Sequence, residues 1–106
     1  MAWIMLTIAG LFEVVWAFSM KQSDGFTKLI PSTVTIVGML VSFVLLALSM
    51  RTLPLGTAYT VWTGIGAVGA FVVGIAFLGE QFNFMRVCAA VLIVCGLLLM
   101  KLSSPA

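Results

Sequence analysis

The sequence predicts an all-α membrane protein with four transmembrane helices. Hydrophobic residues make up 63% of the 106 residues and charged residues only 8%, whereas soluble domains average about 25% charged. The apolar residues form four runs, at about 3–20, 30–50, 55–78 and 84–101. Each run is about as long as the roughly 20 helical residues that cross a bilayer core. Because backbone groups in lipid must be satisfied internally, these runs are helices.

The first run, 3–20, is predicted to be a retained helix rather than a cleaved signal peptide. No basic segment precedes it, and Glu13 interrupts what would be the apolar core of a signal. The connections between the runs are short, and Pro54 suits a helix start. We therefore expect residues 1–106 to form a single four-helix transmembrane domain.

The basic residues leave the direction of insertion almost undetermined. Four spans place both termini on one side of the membrane. The basic residues are divided two against three between the sides: Arg51 and Lys101 on one, and Lys21, Lys28 and Arg86 on the other. The positive-inside rule orients a chain by an excess of basic residues on one side, so this near tie barely favours either orientation. The chain can therefore insert in both directions, and an antiparallel homodimer would follow naturally.

The fourth helix offers a predicted dimer seam. Ala89 and Gly96 are seven residues apart with Ile93 between them, and small residues let membrane helices approach closely. The same pattern could also pack within one protomer. Cys88 and Cys95 share this spacing, which matches neither a zinc site nor a redox pair, so we expect them to be buried small residues.

Glu13 is the acidic residue inside an apolar run. A charged residue at that depth costs about 2.5–3.5 kcal/mol on insertion scales, which marks a functional site. Gly10 and Trp16 share its helical face by i−3 and i+3 spacing. Gly10 is expected to clear space beside the carboxylate, and Trp16 to place its indole N–H one turn further on. The alternative for Trp16 is an interfacial anchor, which its depth in the run disfavours.

The second helix contributes a polar side chain at the same depth. Ser42 lies near the middle of an apolar stretch and shares a face with Met39. Serines in membrane helices often bond back to their own backbone. The alternative is that Ser42 donates a hydrogen bond to the Glu13 carboxylate. Ser42 and Met39 are therefore candidate residues lining the site.

The third helix carries aromatic residues and glycines on one stripe. Tyr59, Trp62 and Gly66 recur at helical spacing, so Tyr59 and Trp62 are predicted to line the site. Gly64 and Gly66 are predicted to permit close helix contact or a bend. A bend there would suit alternating access.

Together these residues favour a cation site that protons can also occupy. Aromatic faces and a carboxylate attract cations, and a proton and a cation would compete for the same Glu13 oxygens. Such competition yields exchange, so we expect a transporter with no cofactor or metal. The chain has no histidine, which argues against an enzyme. Its net charge of +2 is too small for a nucleic-acid surface.

Three segments of the chain resemble the small multidrug resistance family, and within it the guanidinium exporter branch. They are 9–17 (AGLFEVVWA), 54–67 (PLGTAYTVWTGIGA) and 94–97 (VCGL). The resemblance covers essentially the whole length. It implies an antiparallel, dual-topology homodimer in the bacterial inner membrane that works as a proton-coupled antiporter.

The same resemblance implies roles for individual residues. Glu13 of each protomer would be the shared proton and substrate site. Trp16, Ser42 and Trp62 match positions that orient the carboxylate, and Tyr59 matches a position on the access side of the pocket. Guanidinium is a suitable cargo because it is planar, weakly hydrated and able to meet carboxylates bidentately.

Other functions remain open from the sequence. The nearest is a broad exporter of quaternary ammonium compounds from the same family. A non-transporting membrane subunit or a lipid-carrier translocase is the alternative from another class, and a channel is a third. In a non-transporting subunit or a lipid-carrier translocase, Glu13 would only hold helices together through hydrogen bonds.

Overall fold

A computed structural model describes residues 1–103 as four α-helices, which confirms the all-helical, four-span prediction. All four are long and apolar enough to cross a membrane. Their bounds are α1 Ala2–Gln22, α2 Leu29–Ser49, α3 Leu55–Leu78 and α4 Phe84–Ser103. Helices of 20 to 24 residues reach about 30–36 Å at a rise of 1.5 Å per residue.

The turn between α1 and α2 depends on a buried serine. Asp24, Gly25 and Phe26 all have positive φ, at 51°, 73° and 66°, and two of them are not glycine. The Ser23 hydroxyl donates to the Met20 carbonyl at 2.6 Å and accepts from the Phe26 N–H at 3.1 Å. These bonds hold the chain in a left-handed conformation that non-glycine residues rarely adopt.

The α3–α4 connection begins with a glycine cap. Gly79 has φ 67° and is left-handed, the conformation that glycine most readily supplies at a helix end. The Glu80 N–H then donates to the Gly74 carbonyl at 3.1 Å. This turns the chain back over α3 before α4 begins.

Helix α1 lies between α2 and α3, and α4 lies outside them. The core residues Leu6, Ala9, Leu46, Ala58 and Trp62 come from α1, α2 and α3. Within residues 1–103, α4 packs its backbone against α3 and has no fully buried residue. Its carboxyl-terminal end reaches α1 through Lys101, whose Nζ lies 4.4 Å from the Trp3 ring centroid.

The four helices form a thin slab. Its Cα atoms extend 43 × 34 × 16 Å. Packed helix axes are about 8–10 Å apart, so the short dimension holds only two helices. Cys88 is partly exposed and Cys95 is exposed, so the protomer's own helices do not provide the burial expected for them.

Candidate functional site

The Glu13 carboxylate lies between α1 and α3. Gly66 of α3 is buried, and a Cβ added there would overlap Glu13 Oε1. Within the described part of the chain, Oε1 is buried and has no hydrogen-bond partner. A buried carboxylate oxygen without a partner is costly, so this atom is suited to accept a hydrogen bond from a ligand or to carry a proton.

Ser42 links three helices at the level of Ala9, one turn before Glu13. It is fully buried. Its hydroxyl donates to the Ala9 carbonyl of α1 at 2.7 Å and accepts from Trp62 Nε1 of α3 at 2.9 Å. The structure thus shows neither of the two expected bonds, to its own helix or to Glu13. The single hydroxyl proton is used by the Ala9 carbonyl, one turn before Glu13.

A row of aromatic rings runs across the three helices. The ring centroids of Trp16 and Phe43 are 6.4 Å apart, those of Phe43 and Trp62 5.8 Å, and those of Trp62 and Tyr59 5.7 Å. Trp62 is buried, whereas Tyr59 is 53% exposed. The row therefore runs from beside Glu13 on α1 to an accessible ring on α3. Phe43 of this row and the Ala9 carbonyl that accepts from Ser42 were not among the predicted site residues.

Trp16 carries a second unpartnered polar atom. Its indole Nε1 is buried and has no hydrogen-bond partner within residues 1–103. A Cβ added at Gly38 of α2 would lie 3.2 Å from Trp16 Cβ, so the glycine allows α2 to approach this side chain closely. The neighbouring Met39 is partly exposed. The Trp16 N–H is a buried donor on the residue one helical turn after Glu13.

The glycines of this region mainly permit close packing of helices. A Cβ on Gly10 would lie 2.7 Å from Ile65 Cβ, so Ile65 fills the space that the sequence assigned to the surroundings of Glu13. A Cβ on Gly64 would lie 2.5 Å from Leu97 Cδ2 of α4. Helix α3 continues unbroken through Gly64 and Gly66, and a bend during transport stays a prediction.

The predicted dimer seam on α4 is only partly covered in the protomer. Ala89 and Ile93 line a cavity of about 220 Å³ against α3. Ile93 is 39% exposed, and within residues 1–103 no atom beyond the adjoining backbone of α4 lies within 4 Å of a Cβ added at Gly96. These residues could accept a second protomer, and their role in a dimer stays a prediction.

The polar groups of the site are a carboxylate, a hydroxyl and indole N–H groups. The described residues contain no group of three or more His, Cys, Asp or Glu side chains that could hold a metal ion. Glu13 offers an acceptor, and aromatic faces such as those of the row attract cations at short range. The fold and the site define a small multi-pass membrane protein with an internal carboxylate, the class to which ion-coupled exporters belong.

Comparisons with known proteins identify the family. The profile described as "Small Multidrug Resistance protein" matches residues 1–94. The chain is 56% identical to the protein named "Guanidinium exporter" of Escherichia coli (strain K12), over 98% of this chain and 99% of that protein. It has the same identity and coverage with the proteins of that name from Citrobacter freundii and Klebsiella oxytoca.

The chain therefore belongs to the small multidrug resistance family, as its motifs predicted. The members of that family are transporters and not enzymes. The four apolar spans and the enterobacterial relatives make this a multi-pass protein of the bacterial inner membrane.

Proposed function

We propose that this protein exports guanidinium in exchange for protons, with Glu13 as the site that both ligands occupy. The observation that carries the proposal is the Glu13 Oε1 atom, which is buried against Gly66 without a hydrogen-bond partner. A proton or a cationic donor would satisfy it. The relatives that share 56% of the sequence are named guanidinium exporters, which supports this cargo.

The geometry around Glu13 suits a flat cation. Guanidinium has N–H donors in its molecular plane and can meet a carboxylate through two parallel bonds. Its faces are weakly hydrated and stack on aromatic rings. The row formed by Trp16, Phe43, Trp62 and Tyr59 supplies such rings, and the Ser42 hydrogen bonds hold Trp62 in place.

The working unit that we propose is an antiparallel homodimer. A slab 16 Å thick cannot surround an aqueous path, whereas two protomers supply eight helices and two Glu13 carboxylates. The exposed face of α4 around Ile93 and Gly96 would form the seam. Opposite orientations of the two copies give the inverted symmetry on which alternating access is commonly built.

Exchange follows from competition for Glu13. With the site open to the outside, protons displace guanidinium from the carboxylates. After the site reopens to the inside, the protons leave and the ionised carboxylates bind another cation. Because a site holding neither ligand leaves a charge uncompensated in a low dielectric, empty reorientation is disfavoured. Small movements of α3 about Gly64 and Gly66 would change which side is open.

The cargo is tested by transport in liposomes that contain the purified protein. We expect an imposed pH gradient to drive uptake of guanidinium, and uptake of a bulky tetraalkylammonium ion to be at least about tenfold slower, since the aromatic row fits flat cations. Driven flux of the bulky ion alone would place the protein among broad multidrug exporters. No driven flux of either cation would favour a non-transporting subunit.

A further inference from the structure

A second cavity runs along α1 and α3, from Val14 and Ala67 near the level of Glu13 to the helix ends at Lys21 and Glu80. It has a volume of about 340 Å³ and is lined by residues of α1, α3, the α3–α4 connection and α4. That volume falls within the range of about 300–1,000 Å³ that is usual for small-molecule sites. Its charged residues are Lys21, Glu80 and Arg86, and its apolar wall includes Phe18 and Phe71.

The three charged residues lie at the ends of candidate membrane spans, which corresponds to the headgroup region when the spans cross a bilayer. Lys21 is in the last turn of α1, Glu80 follows the end of α3, and Arg86 is in the first turn of α4. These helix ends face the same side of the membrane, because α2 and α3 carry the chain across and back between Lys21 and Glu80, and no span separates Glu80 from Arg86. The cavity therefore has a charged mouth at the membrane surface and an apolar wall toward the bilayer interior.

Two of the charged side chains, Glu80 and Arg86, lie against α3. The Glu80 carboxylate folds back over α3, where its Oε1 lies 2.5 Å from a Cβ added at the buried Gly74. The Arg86 guanidinium carbon lies 5.6 Å from the centroid of the Phe71 ring. Phe71 and Gly74 are three residues apart, about 4.5 Å along the helix. A negative and a positive group thus lie about one helical turn apart on α3.

We propose that this cavity binds the headgroup of an ethanolamine phospholipid. The phosphate would accept hydrogen bonds from Lys21 and Arg86, and the ammonium would donate to the Glu80 carboxylate. Basic pockets between membrane helices are known to hold lipid phosphates, and charge-assisted bonds are the strong ones. The acyl chains would lie along the apolar wall that includes Phe18 and Phe71.

The charge pattern selects this occupant over others. Two cations and one carboxylate at the mouth disfavour the transported cation, so the cavity is a poor entrance for guanidinium. A purely anionic headgroup would leave Glu80 facing a negative charge. A choline headgroup carries no N–H to donate, so Glu80 would lose its hydrogen bond. An ethanolamine headgroup satisfies all three side chains.

The proposal is tested by native mass spectrometry of the full-length protein with phosphatidylethanolamine, phosphatidylcholine and phosphatidylglycerol, which are the ethanolamine, choline and glycerol lipids below. All three carry identical acyl chains. We expect the ethanolamine lipid to bind about tenfold more tightly than the choline lipid, the effect of one hydrogen bond to a charged group. Glu80→Gln should bring that ratio close to one. Lys21→Gln with Arg86→Gln should weaken binding of all three lipids.

Two further variants separate this site from general effects of charge or folding. Gly74→Ala places a methyl group where the Glu80 carboxylate lies, so it should reduce the ethanolamine preference while leaving Glu80 present. Arg51→Gln removes a cation at the opposite membrane face and should leave the preference unchanged. Equal binding of the three lipids, preference for the glycerol lipid, or displacement of the lipid by guanidinium would each overturn the proposal. None of these results depends on transport activity.

Discussion

The carboxylate of Glu13 lies directly against the backbone of Gly66. A side chain as small as a methyl group at Gly66 would overlap Glu13 Oε1. The two residues belong to α1 and α3, so this contact determines both how closely the helices pack and where the carboxylate points. A substitution at Gly66 would therefore affect both the packing of α1 against α3 and the position of the Glu13 carboxylate.

Replacing Gly66 with alanine should displace the Glu13 carboxylate. Overpacking of this kind costs about 1–3 kcal/mol, and we expect the guanidinium dissociation constant to rise about tenfold or more. Isothermal titration calorimetry on the purified protein measures it. Gly56→Ala is the matched control, because it lies in the same helix and, among the described residues, no atom beyond the adjoining helix backbone lies within 4 Å of the added Cβ. Unchanged affinity in Gly66→Ala would show that the carboxylate does not need this position.

Removing the Ser42 hydroxyl should destabilise the three-helix core. Ser42→Ala leaves the buried Trp62 Nε1 without its acceptor, and an orphaned buried donor costs about 1–3 kcal/mol. The free energy of unfolding in mixed micelles should fall by that amount. Ser32→Ala removes an exposed bond to the Lys28 carbonyl of its own helix and should change it by no more than about 0.5 kcal/mol.

A double-mutant cycle isolates the bond between Ser42 and Trp62. Residues that share a hydrogen bond typically show coupling of about 0.5–3 kcal/mol. Adding Trp62→Phe to Ser42→Ala should therefore cost less than the sum of the two single changes. Strict additivity would mean that the two side chains do not depend on each other.

Affinity for guanidinium should decrease as the pH falls. Protonation removes the negative charge of Glu13, so each proton that the cation must displace lowers the affinity by at most about tenfold per pH unit. Titration calorimetry between pH 6 and 9 in buffers of different ionisation enthalpy measures both the affinity and the number of protons released. Affinity that is independent of pH in this range, with no protons released, is incompatible with a shared site.

The sequence predicts the helices well because their signal is local. Apolar runs of bilayer length and the clustering of charges between them require no knowledge of how the helices pack. Glu13 is equally recognisable, since a carboxylate in an apolar run is conspicuous without any structure. Periodicity within one helix does not show which residue the carboxylate contacts, and the structure shows that it is Gly66.

Partners across helices are much harder to read from the sequence. Ser42 is predicted to bond to its own helix or to Glu13, yet it donates to the Ala9 carbonyl across the contact between α1 and α2. Gly10 was expected to clear space for Glu13, but Ile65 fills it. Both outcomes depend on the rotation of one helix against another, which side-chain spacing within a single helix does not specify.

The charged cavity at the helix ends illustrates the same limit. Lys21, Glu80 and Arg86 each mark the edge of an apolar run and are individually unremarkable in the sequence. Only the packing of α1 and α4 around α3 brings them to one opening. The number of spans predicts that these three residues lie on the same membrane face. It does not predict that their side chains line the same cavity.

Proton-driven guanidinium flux in liposomes, compared between the natural sequence and Glu13→Gln, tests the central claim most directly. Asp24→Asn is the control, since it removes a carboxylate from the exposed α1–α2 turn and asparagine tolerates the left-handed backbone there. We predict that a pH gradient of either direction drives guanidinium against its concentration gradient, both with the natural sequence and with Asp24→Asn. Glu13→Gln should abolish that flux while the protein remains folded. Uphill, pH-driven transport by Glu13→Gln would contradict the assignment of Glu13 as the shared site.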